Sequence, residues 1–418
     1  MQGATLKSLA ETLFLLSLAL SPIYLWQSGL PQISHILALL AMLARMIFKP
    51  QFPWTREWTY GLLFVGYTVI VDGVIYFMYG DFRTLLEPLQ FAFDFGVFVL
   101  VVTLSSESGP LFLKRVLYVQ LSALFLQLIL VITGDTRVMD SSRATGLFND
   151  PNQMAYWALW SAIIVSAAGK ALYGSWWPGY GAFLLATIID FFAASRSAAL
   201  GLFTLVLIYA FIFVRNILKA PSLAIQINRN HLYLYALSAI SLFSATAGVL
   251  LYKPGTPTFL VERAHYLFER FNERQFDDTL AGRGYDRLWK FPEYLLLGAG
   301  QGAFERFSGK VEFLDEIHST WAGVLFNYGL IGFFLLVTFL SHVFLRVGYP
   351  VSLLLLPPFI YGFATFGLRN WYFWVGLATI YASAAFSQPF SERNNLDSRT
   401  AGKYEKPTYR CRNGGSRG

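Results

Sequence analysis

The sequence predicts an all-α integral membrane protein with about twelve transmembrane helices. Charged residues make up 14% of the 418 residues and hydrophobic residues 55%, whereas a soluble globular protein carries about 25% charged residues. So few charged side chains would not cover a water-facing surface. Apolar runs of roughly 17 to 25 residues recur along the chain, each long enough to cross about 30 Å of hydrocarbon as a helix. Strands of a membrane barrel would instead alternate over about ten residues.

Proline, glycine and charged clusters divide the apolar runs into twelve predicted spans. The first, near residues 9–29, is too long for the core of a signal peptide and lacks a small-residue cleavage site, so we expect a retained helix. The other eleven spans are predicted near residues 32–48, 58–79, 84–104, 112–133, 153–169, 179–194, 198–214, 232–252, 329–346, 350–367 and 371–387.

The basic residues in the connections predict how these spans are oriented, because cytoplasmic loops carry an excess of lysine and arginine. A cytoplasmic N-terminus with an even number of spans puts both termini in the cytoplasm and most basic residues on that side. Those residues are Lys7, Lys49, Arg56, Lys114, Arg115, Lys170, Arg215, Lys219, Arg229 and Arg346, followed by the basic C-terminal tail. The short connections of the opposite side keep only Arg83, Arg137, Arg143, Arg196 and Arg369.

This topology divides the chain into four parts. Residues 1–252 hold the first nine spans, residues 253–328 form a large external loop, and residues 329–390 hold the last three spans. Residues 391–418 are polar, so we expect them to be a disordered cytoplasmic tail. Within the loop, the segment PTFLVERAHYLFERFNERQF has apolar residues at helical spacing with charges between them. This pattern predicts an amphipathic helix along the membrane face.

His318 is the strongest candidate for a catalytic side chain. It lies at the external end of the long loop, beside Asp315 and Glu316 and before a glycine-bounded continuation. An imidazole titrates near pH 6.5, so it can accept a proton from a hydroxyl group at neutral pH. The competing interpretation is an interfacial histidine that only satisfies a local hydrogen bond.

Arginines on the external side form a second group of candidates. Topology rules deplete positive charge on that side, so an arginine kept there is expected to have a partner. A guanidinium binds phosphate oxygens with two hydrogen bonds, and several arginines beside His318 therefore predict a site for an anionic ligand such as a diphosphate. Each alone could equally be a structural residue. The group comprises Arg143, Arg196, Arg283 and Arg369.

Four carboxylates fall within or at the edges of predicted spans, where a charge is costly and often functional. They are Asp72, Glu87, Asp94 and Asp190. They could form a proton or ion relay, as in a transporter, or they could pair with arginines and line the inner wall of the site.

The glycine-rich stretch GAGQGAF at residues 298–304 superficially resembles a phosphate-binding loop. It follows no predicted strand and precedes no long helix, so we expect its glycines to permit a tight turn against the membrane. The chain has one cysteine, Cys411, which excludes an intrachain disulfide and a multi-cysteine metal site. No metal-binding motif of the CxxC or HExxH kind occurs, and we expect no cofactor.

Four segments, in order along the chain, resemble the O-antigen ligase and polymerase superfamily of bacterial envelope glycosyltransferases. The most specific is the stretch from His318 to Gly332, in which His318 and Ser319 are followed by nine residues and then by Gly329, as in the ligase signature. The match covers residues 141–334 by motif, and the whole chain by its number of spans and its large loop before the tenth. The segments are RATGLFNDPNQMAYW, SRSAALGL, GR…W…LLGAGQGAF and HSTWAGVLFNYGLIG.

The resemblance implies a bundle of the GT-C type in the bacterial inner membrane, with a catalytic periplasmic loop. It implies polysaccharide biosynthesis in which a glycan moves from undecaprenyl diphosphate to an acceptor hydroxyl, without metal or nucleotide sugar. The acceptor is lipid A-core in a ligase, which completes lipopolysaccharide, or another lipid-linked glycan in a polymerase. Besides these substrates, the expected partners are membrane lipids, and no nucleic acid is expected.

The resemblance also implies roles for individual residues. His318 matches the family's catalytic histidine, Arg196 the arginine between the seventh and eighth spans, and Arg283 the loop arginine. The spacing from Arg283 to Trp289 is longer than the family pattern, so Arg287 is an alternative counterpart. Residues expected to contact the diphosphate or the glycan are Arg143, Arg287, Arg369, Asn149, Asn152 and Trp321.

Two other classes of function remain open at this point. A transporter, for example a flippase for lipid-linked oligosaccharides, would use the carboxylates in the spans as coupling sites. It predicts that substitutions of Asp72, Asp94 and Asp190 abolish function, whereas those of His318 and Arg283 are mild. A non-catalytic scaffold for an envelope polymer complex predicts that none of these substitutions matters unless expression falls.

Overall fold

The computed structural model shows a mostly helical protein. It describes residues 2–26, 30–51, 54–133, 138–140, 143–219, 265, 266, 269 and 279–386. In chain order, the described helices longer than one turn, α1 to α11, are Gln2–Ala19, Ile33–Phe48, Arg56–Tyr79, Arg83–Ser108, Pro110–Thr133, Pro151–Tyr173, Trp177–Ala193, Arg196–Lys219, Thr320–Val347, Leu356–Tyr361 and Trp371–Ala384. A short antiparallel ribbon pairs β1, Val138–Asp140, with β2, Arg143–Ala144.

Six of the described helices are long and apolar enough to cross a membrane, namely α3, α4, α5, α6, α8 and α9. Helices α2 and α7 and the stretch Val351–Tyr361 are shorter but also apolar. The described residues are therefore those of a mostly helical protein of multi-pass membrane character. The count of twelve spans stays a prediction, and the predicted ninth span at 232–252 lies outside the described residues. So do the predicted tail at 391–418 and most of the predicted amphipathic helix.

The tenth predicted span starts earlier than the sequence indicated, at Thr320 instead of residue 329. Ser319 caps this helix, α9, because its side-chain oxygen accepts a hydrogen bond from the amide of Ala322. Two other helices at the same end of the bundle begin in the same way: Asp150 caps α6 and Asn370 caps α11. Ser319, Asp150 and Asn370, to which the family resemblance assigned no role, therefore act as helix caps.

The eleventh predicted span, 350–367, is not a continuous helix. Residues Val351–Leu355 form a 3-10 turn, α10 ends at Tyr361, and the chain is non-helical from residue 362 to residue 370. We name residues 362–370 the hub loop. Its carbonyl groups accept hydrogen bonds from the preceding loop and from α9. Because these tertiary bonds occupy the carbonyl groups, α10 does not extend through the hub loop.

Helices α6 and α11 lie at the centre of the bundle. Every residue of α6 from 154 to 169 and every residue of α11 from 371 to 383 is buried. Their contact is close at Gly376, where a Cβ atom would lie 2.1 Å from the ring of Trp160. The two central helices thus form a tightly packed support for the connections at their ends.

The connections separate into two ends of the bundle. At one end, the side chains of Lys49 and Arg45 lie 3.8 and 2.8 Å from the carboxylate of Glu107, and Arg115 pairs with Glu11. This end, which we name the basic end, carries residues that the charge pattern assigns to the cytoplasm.

The opposite end, which we name the loop end, is formed by residues 279–319, the hub loop and the connections that precede α4, α6 and α8. Hydrogen bonds join these connections to one another. Asn149 donates to the carbonyl of Trp26, and the backbone amide of Ala303 donates to Asp81 at 3.0 Å. All the candidate site residues that the structure describes lie at or near this end.

Candidate functional site

Residues 279–319 form a small unit that packs on the first turns of α9. The unit has its own apolar cluster, separate from the core of the bundle, formed by Ala299, Phe307, Ile317, Ala322 and Phe326. Since Ala322 and Phe326 belong to α9, the unit is attached to the helix that follows it. His318 lies at this junction.

His318 is exposed and lies directly before the cap of α9. Its backbone amide donates to the carbonyl of Arg283 at 3.0 Å. Its ring meets the ring of Phe313 edge-on, with 4.8 Å between the centroids. The backbone of His318 is thus joined to that of Arg283, and the residue is exposed at the loop end.

Arg283 connects this unit to the hub loop. Its guanidinium donates to the carbonyl of Ala364, and the hydroxyl of nearby Tyr285 donates to the carbonyl of Phe363. The side chain is only half-buried. The fold therefore brings His318, Arg283 and the hub loop together.

Arg196 is the first residue of α8 and is half-buried. Its neighbour Ser197 accepts a hydrogen bond from the hydroxyl of Thr365 in the hub loop at 3.3 Å. Thr365 follows Ala364, the residue that Arg283 contacts. The start of α8 therefore joins the same group of connections as His318 and Arg283.

Arg143 and Asn152 form one unit on the neighbouring connection. The Nε atom of Arg143 donates to the carbonyl of Ala193 at 2.9 Å, and its Nη2 atom donates to the side-chain oxygen of Asn152 at 2.9 Å. Ala193 ends α7, three residues before Arg196. Arg143 is thereby held beside the turn that carries Arg196.

Arg287 differs from the other arginines because it is fully buried. Its guanidinium donates to the carbonyls of Phe313 and Asp315 and lies 5.5 Å from the ring centre of Phe304. Burial lowers the pKa of this group to about 10. Arg287 thus holds the segment that leads to His318, and Arg283 is the more accessible of the two.

Arg369 forms a bridge between two glutamates. Its Nη1 atom lies 2.7 Å from Glu87 on α4, and its Nη2 atom pairs with Glu316 on the loop. The pKa of Glu316 is raised to about 7, mainly by burial and also by the charge of Glu87, while Arg369 and Gln301 oppose both effects. Burial lowers the pKa of Arg369, but the two glutamates outweigh this and raise it overall. The bridge fixes the loop to the bundle two residues before His318.

The remaining predicted contacts have structural partners. Asn149 ties the connection before α6 to the carbonyl of Trp26. Trp321 is buried, its indole donates to the carbonyl of Phe359 at 2.9 Å, and the two rings lie 4.4 Å apart. Trp321 therefore packs against α10 in this structure instead of presenting a free ring to the loop end.

Sequence reasoning missed Gln301, which links the loop to two carboxylates. Its amide donates to Asp72 at 2.7 Å, and its side chain donates to Glu316 at 2.7 Å. The hydroxyl of Tyr328 also donates to Asp72, at 3.0 Å. The only signal for this role in the sequence is that Gln301 is the single polar residue within GAGQGAF.

Side chains that commonly bind metals are not clustered in the part of the chain that the structure describes. Among those residues, no group of three or more His, Cys, Asp or Glu side chains is arranged to hold a metal ion. In comparisons with known proteins, no family model and no curated protein matches this chain.

Proposed function

We propose that this protein is a glycosyltransferase that moves a glycan from undecaprenyl diphosphate to an acceptor hydroxyl, as O-antigen ligases and polymerases do. The observation that carries the proposal is the direct backbone contact of His318 with Arg283 at the loop end. These two residues belong to different segments of the motif and are neighbours in space. One imidazole and one guanidinium beside an open surface match the needs of this transfer.

The proposed reaction is a displacement at the anomeric carbon of the donor sugar. The acceptor oxygen forms a bond to that carbon, the bond from the carbon to the diphosphate oxygen breaks, and undecaprenyl diphosphate leaves with both bonding electrons. His318 accepts the proton of the acceptor hydroxyl. Such general-base assistance typically contributes about 10²- to 10⁴-fold to a rate.

The departing diphosphate gains negative charge, which Arg283 and Arg196 are proposed to stabilise. Fixed positive groups at the place where charge develops are often the largest single catalytic contribution. The N-termini of α6, α8, α9 and α11 also lie at the loop end. Because a helix N-terminus carries a partial positive charge, these ends add to a field that favours an anion.

The environments of Arg283 and Arg287 favour Arg283 as the residue that meets the donor. Arg287 is buried and already donates to two carbonyl groups, whereas Arg283 is half-buried and adjoins His318. Arg143 is proposed to widen the positive surface, and Arg369, which pairs with Glu87 and Glu316, to support its shape. The predicted roles of Asn149, Asn152 and Trp321 become indirect, since each of their side chains has a structural partner.

The ligase is the form that the signature from His318 to Gly332 favours, with lipid A-core as the acceptor. The polymerase uses the same donor and differs only in its acceptor, a second lipid-linked glycan. Both forms require the active site at the periplasmic face of the inner membrane. Supplying the two acceptors one at a time to the purified protein distinguishes them.

The test is glycan transfer by purified protein from an undecaprenyl-diphosphate-linked glycan. We expect His318→Ala to lower the rate about 10²- to 10⁴-fold and Arg283→Ala to lower it about 10²- to 10³-fold, with unchanged yield of folded protein. Arg287→Met should lower the yield and the unfolding temperature, because two buried carbonyls lose their donor. Lys310→Ala, at an exposed residue of the same unit, is the control. Wild-type transfer by His318→Ala would refute the proposal.

A transporter is the second candidate, and one observation favours it. Asp94 on α4 is buried, and neither of its carboxylate oxygens has a hydrogen-bond partner among the described residues. A carboxylate inside a span can bind and release a proton during transport. If Asp94→Asn abolishes function in cells while His318→Ala and Arg283→Ala remain active, transport replaces transfer as the proposal.

A further inference from the structure

Helix α9 contains a break that is not visible in its apolar sequence. Gly329 has φ 62° and ψ −172°, a conformation far from helical. In an unbroken helix, the amide of Leu330 would bond to the carbonyl of Phe326. The break frees that amide and leaves carbonyl groups before it without their helical donors.

Residues 294–303 supply the missing partners. The amide of Leu330 donates to the carbonyl of Leu295 at 2.7 Å. In return, the amides of Ala299 and Gly300 donate to the carbonyls of Phe326 and Asn327, at 2.9 and 2.7 Å. The loop segment and the broken helix therefore complete each other's backbone hydrogen bonds.

The segment runs from the loop end along the bundle towards the basic end, reverses direction and returns to the loop end. Among the described contacts of the segment with α3, the one farthest from the loop end is at Leu297. Its carbonyl accepts a hydrogen bond from the hydroxyl of Tyr67 at 2.8 Å. The segment then returns past Asp72, which binds the amide of Gln301, to Asp81 beyond the end of α3. Residues 294–303 thus form a hairpin, with its tip near Leu297.

The tip lies far from the loop end, measured along the axes of α3 and α9. Tyr67 is at the midpoint of α3, a helix of 24 residues that is apolar enough to span a membrane. Gly329 lies nine residues into α9, about 14 Å below its start at 1.5 Å per residue. The tip is therefore level with the middle of α3 and lies well below the start of α9.

The side chains at the tip face outward. Leu296 is 60% exposed and Leu297 is 59% exposed, and Phe334 of α9 is 61% exposed. Three carbonyl groups beside them, those of Tyr294, Leu295 and Leu297, each accept a hydrogen bond from within the protein. Non-helical backbone is tolerated at this depth only when its polar groups are satisfied within the protein.

We propose that residues 294–303 form a re-entrant hairpin whose tip, Leu296 and Leu297, contacts the acyl chains of membrane lipids. Outward-facing leucines beside carbonyl groups that are paired within the protein suit hydrocarbon, and water would leave both side chains unfavourably exposed. This inference is independent of the proposed reaction. It adds a membrane-embedded element to a segment that sequence analysis assigned to the external loop.

Single cysteines in a Cys411→Ser background provide the first test. Leu297→Cys probes the tip, and Lys310→Cys, exposed in the same unit, is the matched control. Open membrane sheets expose both faces to a charged thiol reagent, so orientation does not affect the result. We expect Leu297→Cys to react about 100-fold more slowly than Lys310→Cys, because charge is excluded from hydrocarbon. Equal rates in folded protein would overturn the proposal.

Slow labelling would also result if another part of the chain or a second copy covered the tip. A membrane-permeant fluorescent maleimide attached at the same two cysteines separates these cases. Nitroxide groups placed midway along lipid acyl chains should quench the fluorophore at residue 297 and have little effect at residue 310. Absence of this quenching at residue 297 would show that protein covers the tip and would equally overturn the proposal.

Discussion

At the scale of single residues, two arginines on one segment have opposite surroundings. Arg287 is enclosed and donates to two backbone carbonyls, whereas Arg283 contacts the hub loop and the backbone of His318. In the sequence the two residues look alike, because both are positive charges within the predicted external loop. Their difference depends on which carbonyls the fold brings within reach, and spacing along the chain does not reveal that.

Glu316 shows a comparable dependence on the fold. In the sequence, Glu316 is recognisable only as an acidic neighbour of His318. In the structure it accepts hydrogen bonds from Gln301 and Arg369, which come from segments 15 residues before it and 53 residues after it. No local pattern connects three such distant positions, so the network was not predictable.

The raised pKa of Glu316 predicts how stability changes with pH. Its ordinary pKa is 4.5 and burial raises the pKa to about 7, so the folded protein binds this proton more tightly than the unfolded chain does. The free energy of unfolding should therefore fall as the pH rises from 4.5 to 7. Glu316→Gln removes this contribution and should flatten the dependence.

The measurement is the unfolding temperature in detergent between about pH 5 and 8, the range in which a group shifted in this way titrates. Glu305→Gln, at an exposed glutamate of the same unit, serves as the control and should keep the wild-type slope. Parallel curves for wild type and Glu316→Gln would mean that the pKa of Glu316 is not raised in the folded protein.

At the scale of elements, the structure explains the glycine that ends the ligase-like signature. Gly329 adopts a backbone conformation that is essentially limited to glycine. A Cβ atom there would also lie 2.3 Å from the carbonyl oxygen of Leu296. The motif identified the position, but the reason for glycine lies in the hairpin that packs against it.

Gly329→Ala should therefore destabilise the protein. The strained backbone alone costs about 1–3 kcal/mol, and the contact with Leu296 adds to this. Gly73→Ala, in a helical position of α3 with open space around the new atom, is the matched control and should leave the unfolding temperature nearly unchanged. Equal unfolding temperatures for the two variants would show that the break at Gly329 is not required.

The boundaries of most described helices were predictable because apolar runs end at identifiable residues. Gly80 ends α3 and Gly174 ends α6, each in a left-handed conformation. The non-helical conformation of residues 362–367 was not predictable, since neither a charged residue nor a proline interrupts this part of the hub loop. Its departure from helix depends on hydrogen bonds from Thr320, Tyr285 and Arg283, which are distant in the chain.

At the scale of the whole molecule, the charge pattern and the structure divide the connections in the same way. Lys7 donates to the carbonyl of Glu107 at the basic end, and the site candidates gather at the loop end. The sequence therefore sufficed to predict which connections share an end. The sequence did not predict which residues of these connections contact one another, because those contacts depend on the packing of α6 and α11.

The assignment of these ends to the two sides of the membrane is testable. In the Cys411→Ser background, Lys310→Cys reports on the loop end and Lys114→Cys, also exposed, reports on the basic end. With an impermeant thiol reagent added outside the membrane that holds the protein, we expect only Lys310→Cys to be labelled. Lys114→Cys should react after that membrane is disrupted. The reverse pattern would place the site in the cytoplasm.

The mutual hydrogen bonding of the hairpin and α9 constrains the order of events during biosynthesis. Residues 294–303 precede Phe326, Asn327 and Leu330 in the chain and therefore emerge from the ribosome before them. Until α9 emerges, the amides of Ala299 and Gly300 lack their acceptors, and an unpaired amide in hydrocarbon is costly. The hairpin must therefore wait in water or at the membrane surface and enter the bilayer together with α9. A released chain that ends before Phe326 would leave these amides without their acceptors, and we expect it to keep residues 294–303 outside the membrane.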